Sequence, residues 1–261
     1  MTDPRRPVAA GSFYPGDPAE LAALVDRLLA DAPPRPPAGR LRALVVPHAG
    51  YAYSGAVAAA AFAVIPAAER GLRVALIGPS HFVPLRGASL PEVASWSTPI
   101  GTVKIDDGLR EAAAAAGAVV DDEPHAHDHA LEVELPFLQR RAGEGLRALP
   151  VSVNSADAAA AVIDAVAGEA LIVVSTDLSH YNDDATARRL DRRTAEAVLA
   201  LDRTALRNRD ACGVGALRGL LGHARRAGWV CALLELRTSA DASGDVDRVV
   251  GYGAFAFSGT G

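Results

Sequence analysis

Four short apolar runs, 41–46, 74–77, 148–153 and 171–175, are each followed by a segment of helical pattern, and this alternation constrains the fold more than anything else in the chain. The runs are bounded by Gly, Pro, Ser or Asn and are apolar nearly throughout, as strands buried on both faces must be. Segments 56–65, 107–116, 156–166 and 185–201 supply the intervening helices. Strands alternating with helices predict an α/β fold with a mostly parallel central sheet and helices on both faces. An amphipathic helix over 18–32, with Leu21, Leu24, Val25, Leu28 and Leu29 on one stripe, precedes the first strand. Residues 32–39 are too rich in proline for helix or interior strand and read as a stiff connector. Two more strands are expected at 230–236 and 249–257, with 238–247 as the polar loop between them. A chain of 261 residues can bury one large core, so residues 1–261 are expected to form a single domain.

Charge and composition exclude several function classes. With 26 Lys and Arg against 31 Asp and Glu, the net charge is −5, too acidic to neutralise a phosphate backbone, so nucleic acid is not an expected partner. No apolar run reaches the roughly 18 residues of a membrane span. Arg5 and Arg6 are followed by Pro7 and a polar stretch rather than the apolar core of an export signal, so the expected location is the cytoplasm. The two cysteines, Cys212 and Cys231, fit a reducing compartment in which a thiol is free to react or to ligate metal.

In open α/β sheets, ligands bind beyond the carboxyl ends of the strands, where loops converge over a rigid base. His48, His81 and His180 each stand just past an apolar run, and Pro47, Gly50, Gly78 and Pro79 suit tight turns and close backbone approach. A preorganised pocket is the expectation. Asp177 lies in the same loop as His180. His125, His127 and His129 alternate in 123–130, ahead of a helix expected over 130–141. Acidic neighbours and Pro124 suggest that His125 and His127 are solvated. His129, three residues before Glu132, would share a helical face with it and reach the pocket. Glu132 is then a general base, an orienting partner of a ligating imidazole, or a capping carboxylate. His223 reads as a helix C-terminal cation.

Cys212 sits in a small-residue turn leading into an apolar helical pattern, where a helix start would depress the thiol pKa. Cys231, inside an apolar strand, reads as a packed core residue. Two imidazoles and a thiolate would select Fe, Cu or Zn over Mg or Ca, which prefer oxygen. Dinucleotide-binding, Walker, nucleophile-elbow and His-Glu-x-x-His motifs are not found in a fitting context.

The segments 10–15 (AGSFYP), 47–51 (PHAGY) with 53–55, 78–81 (GPSH), 129–132 (HALE) with Leu135 and Pro136, 175–180 (STDLSH), 211–213 (ACG) and 250–252 (VGY) occur in an order that resembles the Memo family. Its bacterial and archaeal members are called protein B of a Memo, AMMECR-type and radical-SAM system. The resemblance implies a fold like that of the class III extradiol dioxygenases. It implies His48, His81 and Cys212 as metal ligands, and Asp177, His180, His129 and Glu132 as the lining of the same pocket. It also implies iron or copper as the metal, redox activity, and a radical-SAM system as a partner. Glu134 departs from the family pattern, which often has His or Gln there, and 237–241 is a loose form of the late motif.

Three functions follow as expectations. The first is an iron- or copper-dependent oxidoreductase in which His180 or His129 exchanges protons. The second is a binding protein that holds a peptide or small ligand in the same pocket without turnover. The third is a zinc-dependent hydrolase with Glu132 or Asp177 as base.

Overall fold

A computed structural model describes residues 3–33, 35 and 38–259. The apolar runs form the centre of an 11-stranded sheet. Strands β1 (Arg40–Val46), β2 (Arg73–Gly78), β3 (Ala88–Leu90), β4 (Ser95–Thr98), β5 (Gly101–Ile105), β6 (Val119–Val120), β7 (Arg147–Val153), β8 (Leu171–Ser175), β9 (His180–Asn182), β10 (Val230–Thr238) and β11 (Val249–Gly259) follow one another along the chain. The main path runs β10-β11-β1-β8-β2-β7-β3-β6. The four strands β1, β8, β2 and β7 are parallel neighbours.

The mostly parallel expectation holds at this centre and fails at the flanks. β11 runs antiparallel to β1, and β10 antiparallel to β11. The reason is connectivity: β10 and β11 are joined by 239–248, too short for the crossover a parallel pair requires. β3 is likewise antiparallel to β7, and β4 to β5.

Local sequence explains where the helices begin. Helix α1 (Pro18–Asp31) is capped by Asp17, whose side chain accepts the amides of Ala19 and Glu20, and has Pro18 in its first turn, where no amide is needed. α2 (Tyr51–Phe62) is followed by α3 (Asp107–Ala115), capped by Asp106, and the short α4 (Glu123–Ala126). Residues 130–141 are not one helix: a 3-10 turn (Glu132–Glu134) leads into α5 (Leu135–Arg141), which starts where Pro136 can occupy the first turn. α6 (Ala156–Val166) is capped by Ser155 and α7 (Asp184–Leu199) by Asp183. α8 (Val214–Arg226) and the short α9 (Ala240–Ser243) complete the set, the latter within the segment expected as loop.

α1, α2 and α5 pack on one another as one layer, α3, α6 and α8 as the other, and α7 lies on β10 and β11. The central strands between the layers are buried nearly throughout. The proline-rich connector lies partly outside the described residues, at 34, 36 and 37. Among the described residues, no helix is long and apolar enough to cross a membrane.

Candidate metal centre

Strand register determines which residues meet. Val46 of β1 pairs with Ser175 of β8, Ile77 of β2 with Val174, and Gly78 with Ser152 of β7. The carboxyl ends of the parallel strands are therefore level, and the chain leaving β1, β2 and β8 delivers His48, His81 and Asp177 to one rim. The segment 127–131 crosses above the same rim and adds His129. Imidazole nitrogens of His48, His81 and His129 all lie within 4.8 Å of one another. The His81 and His129 rings are stacked 5.3 Å apart at 8°, and His48 stands edge-on to both, at 5.2 and 5.7 Å. His48 is buried, His129 intermediate and His81 exposed, so the cluster opens to solvent on the His81 side.

Each imidazole is held from behind. Nδ1 of His48 lies 2.8 Å from Ser175 Oγ, and its backbone amide donates to Asp177 Oδ1 at 2.8 Å. His81 donates its amide to Asp128 Oδ2 at 2.6 Å, and its Nδ1 lies 3.1 Å from Oδ1 of the same carboxylate. Asn154 brackets the preceding residue, accepting the Ser80 amide and donating to the Ser80 carbonyl, both at 3.1 Å. Phe13 packs against His129 with ring centroids 4.2 Å apart.

Cys212 reaches the same place from the other side of the sheet centre. Its Sγ is 3.2 Å from His48 Nε2, and it accepts the Asp177 amide at 3.3 Å. The Gly213 amide donates to Thr176 Oγ1 at 2.8 Å. The approach requires glycine, since a Cβ at Gly213 would lie 2.8 Å from Thr176 Cβ and 2.9 Å from the Ser175 carbonyl oxygen.

The electrostatics favour neutral imidazoles at His48 and His129. Burial, then the neighbouring His81 and His129, hold His48 well below the usual histidine range, and burial also lowers His129 and His180. For Asp128 burial acts upward, but the bonds from His81 and the Ala130 amide outweigh it and bring the carboxyl to about 2. Burial pushes Asp177 up to about 7 against the pull of the His48 amide and His81. The expected low pKa of Cys212 is overturned: burial, with Asp177 second, pushes the thiol up to about 12. Desolvation outweighs the field of a helix whose first residue is Val214.

The remaining histidines and the acid residues are distributed as follows. His180 opens β9 beside the cluster, with Nδ1 donating to the Leu178 carbonyl at 2.7 Å. Glu132 is not part of the converging set. Its carboxylate is turned to the N-terminal segment, where it accepts from Arg5 at 2.6 Å, the amides of Val8 and Ala9 at 2.8 Å each, and the Tyr14 hydroxyl at 2.5 Å. His125, expected in solvent, is buried in α4 against Trp96, between the Ser89 carbonyl and Ser152 Oγ; His127 is exposed. His223, in the last turn of α8, pairs with Asp164. Cys231 is partly buried in β10. Asp128 and Asn154 were not singled out by sequence, and Phe13 only within the motif 10–15; an aspartate between two histidines has the look of a solvated acidic neighbour. A concavity of about 540 Å³ lies at the opposite, amino ends of β1, β2 and β8, lined by Arg40, Leu72 and Leu171 among others, and includes none of these residues.

The donor set can hold a metal ion. Three imidazoles converge, two have their Nδ1 atoms engaged by a hydroxyl and a carboxylate, as ligating histidines usually do, and a sulfur lies beside one of them. Nitrogen and sulfur donors suit iron, copper or zinc and not magnesium or calcium.

Sequence comparison agrees along the whole chain. The family model described as Memo-like protein matches residues 5–256. A MEMO1 family protein of Methanopyrus kandleri is 33% identical over 279 residues, covering 97% of this chain and 98% of the relative. Those of Methanothermobacter thermautotrophicus and Methanosarcina acetivorans are each 34% identical, covering 95% and 96% of this chain and 98% and 97% of the relatives.

Proposed function

The chain belongs to the Memo family, and from that premise we propose that it is an iron- or copper-dependent redox protein whose metal is bound by His48, His81 and Cys212, with His129 completing the rim. The observation that carries this reading is the convergence of three imidazoles within 4.8 Å at one strand-end rim, with the Cys212 sulfur 3.2 Å from His48. Iron or copper bound there would supply one-electron chemistry toward a small oxidant such as O₂.

The chain's own residues prepare that site. Ser175 and Asp128 fix the His48 and His81 rings, so that little reorganisation is needed on binding. Asp177 ties the turn after β1 to the turn after β8 and, with a carboxyl titrating near 7, can hold or release a proton beside the cluster. His180, kept neutral by burial, is the second proton-exchanging group. Exposure of His81 leaves a path for a small ligand, while burial of His48 excludes water behind it.

The test is oxygen consumption by anaerobically purified protein loaded with Fe(II) or Cu and supplied with a thiol reductant. Loaded wild type should exceed the same free metal in buffer, and His81→Ala should return the rate to that background. Wild type at the background rate would remove the redox reading while leaving metal binding to be judged separately.

A further inference from the structure

Ser175 Oγ has three partners at the same distance, and its single proton cannot serve them all. His48 Nδ1, the Ala130 carbonyl oxygen and Glu134 Oε1 each lie 2.8 Å away, and Ser175, His48 and Glu134 are all buried. A carbonyl oxygen can only accept, so the serine proton must point to Ala130 if that contact is a hydrogen bond. The two serine lone pairs then remain for His48 and Glu134, and both of these must donate. The alternative gives the proton to an ionised Glu134. It leaves the Ala130 oxygen facing another oxygen at 2.8 Å, and it buries a carboxylate whose Oε2 has no hydrogen-bond partner. Only the first arrangement satisfies every contact.

We propose that Glu134 is a positioning residue: as a neutral carboxylic acid it donates from Oε1 to Ser175, Ser175 donates to Ala130, and His48 is thereby locked as the tautomer that carries its proton on Nδ1 and turns an unprotonated Nε2 toward the cluster. Burial of Glu134, with Asp177 nearby, independently holds the carboxyl well above the usual carboxylate range, even though the Ser175 contact opposes it. The 3.2 Å approach of Cys212 Sγ to Nε2 is compatible with this tautomer, since an S–H can donate to a bare nitrogen. The assignment extends the metal reading by naming what prepares His48, yet its two primary readouts need no metal, so the two ideas can fail separately.

The experiment uses the full metal-free chain at pH 7. Infrared difference spectra between wild type and Glu134→Gln should show a buried carboxylic-acid C=O stretch in the wild type that is lost in the variant. Histidine ¹⁵N spectra should show His48 protonated on Nδ1 in wild type and in Glu134→Gln, whose amide can still donate to Ser175. Ser175→Ala, which removes the acceptor of the His48 Nδ1 proton, should give a mixture of tautomers, and its Fe(II) affinity should fall roughly 10- to 100-fold. An ionised carboxylate at pH 7, or a wild-type His48 protonated on Nε2, would overturn the proposal. So would an unchanged tautomer in Ser175→Ala, and should that variant not fold, the comparison of wild type with Glu134→Gln decides alone.

Discussion

The sulfur of Cys212 lies 3.2 Å from Nε2 of His48, although 164 positions separate the two residues. The contact is made possible by Gly213, which lets the turn before α8 press against Ser175 and Thr176. Because Cys212 adds little to the apolar core, Cys212→Ser should change unfolding free energy by less than about 1 kcal/mol. Its affinity for Fe(II) or Cu should nevertheless drop roughly tenfold or more, measured by anaerobic titration.

Gly213→Ala tests the same junction through the backbone. The new methyl group would meet Thr176 and the Ser175 carbonyl at under 3 Å, so α8 must shift. A loss of about 1–3 kcal/mol in urea unfolding is expected, together with weaker metal binding, as the shift carries Cys212 away from His48.

Glu132 is an anchor for the N-terminal segment. Its carboxylate pairs with Arg5 and accepts two backbone amides and the Tyr14 hydroxyl, all in a buried setting. Glu132→Ala leaves an arginine and two amides without their acceptor, and should cost about 3–5 kcal/mol. Since the same segment brings Phe13 against His129, limited proteolysis near residue 10 should become faster in the variant.

His125 predicts a specific pH dependence. Burial, then Arg5, lowers its pKa to about 4, against 6.5 when unfolded. Below pH 6.5 the unfolded chain takes up a proton that the folded chain refuses, so this contribution is complete above 6.5 and is lost as pH falls toward 4. The loss amounts to roughly 3 kcal/mol. His125→Gln, whose amide can still donate to Ser89, should flatten the fall in unfolding free energy between pH 7 and 4 by about that amount.

The parallel centre of the sheet was legible because β1, β2, β7 and β8 are apolar along their lengths and end in Gly, Pro or Ser turns. The pieces β3, β4, β5, β6 and β9 escaped notice: they are two to five residues long, too short for a periodic pattern, and they range from wholly buried in β3 to wholly exposed in β6. At the site, His48 and His81 were readable from their places after strands. The direction of Glu132 was not, because it is set by Arg5, Tyr14 and the amides of Val8 and Ala9, which are distant along the chain. Nor could sequence reveal the depth of Cys212 or His125, since burial is set by packing with segments distant along the chain.

The central claim is that His48, His81 and their neighbours bind a redox-active metal, and the most direct measurement is metal content after anaerobic reconstitution and removal of free ion. Wild type should retain a stoichiometric Fe or Cu ion, and the His48→Ala, His81→Ala double variant should retain none while keeping its far-UV circular dichroism. Equal metal content in the two proteins, or a wild type that retains no ion, would contradict the account.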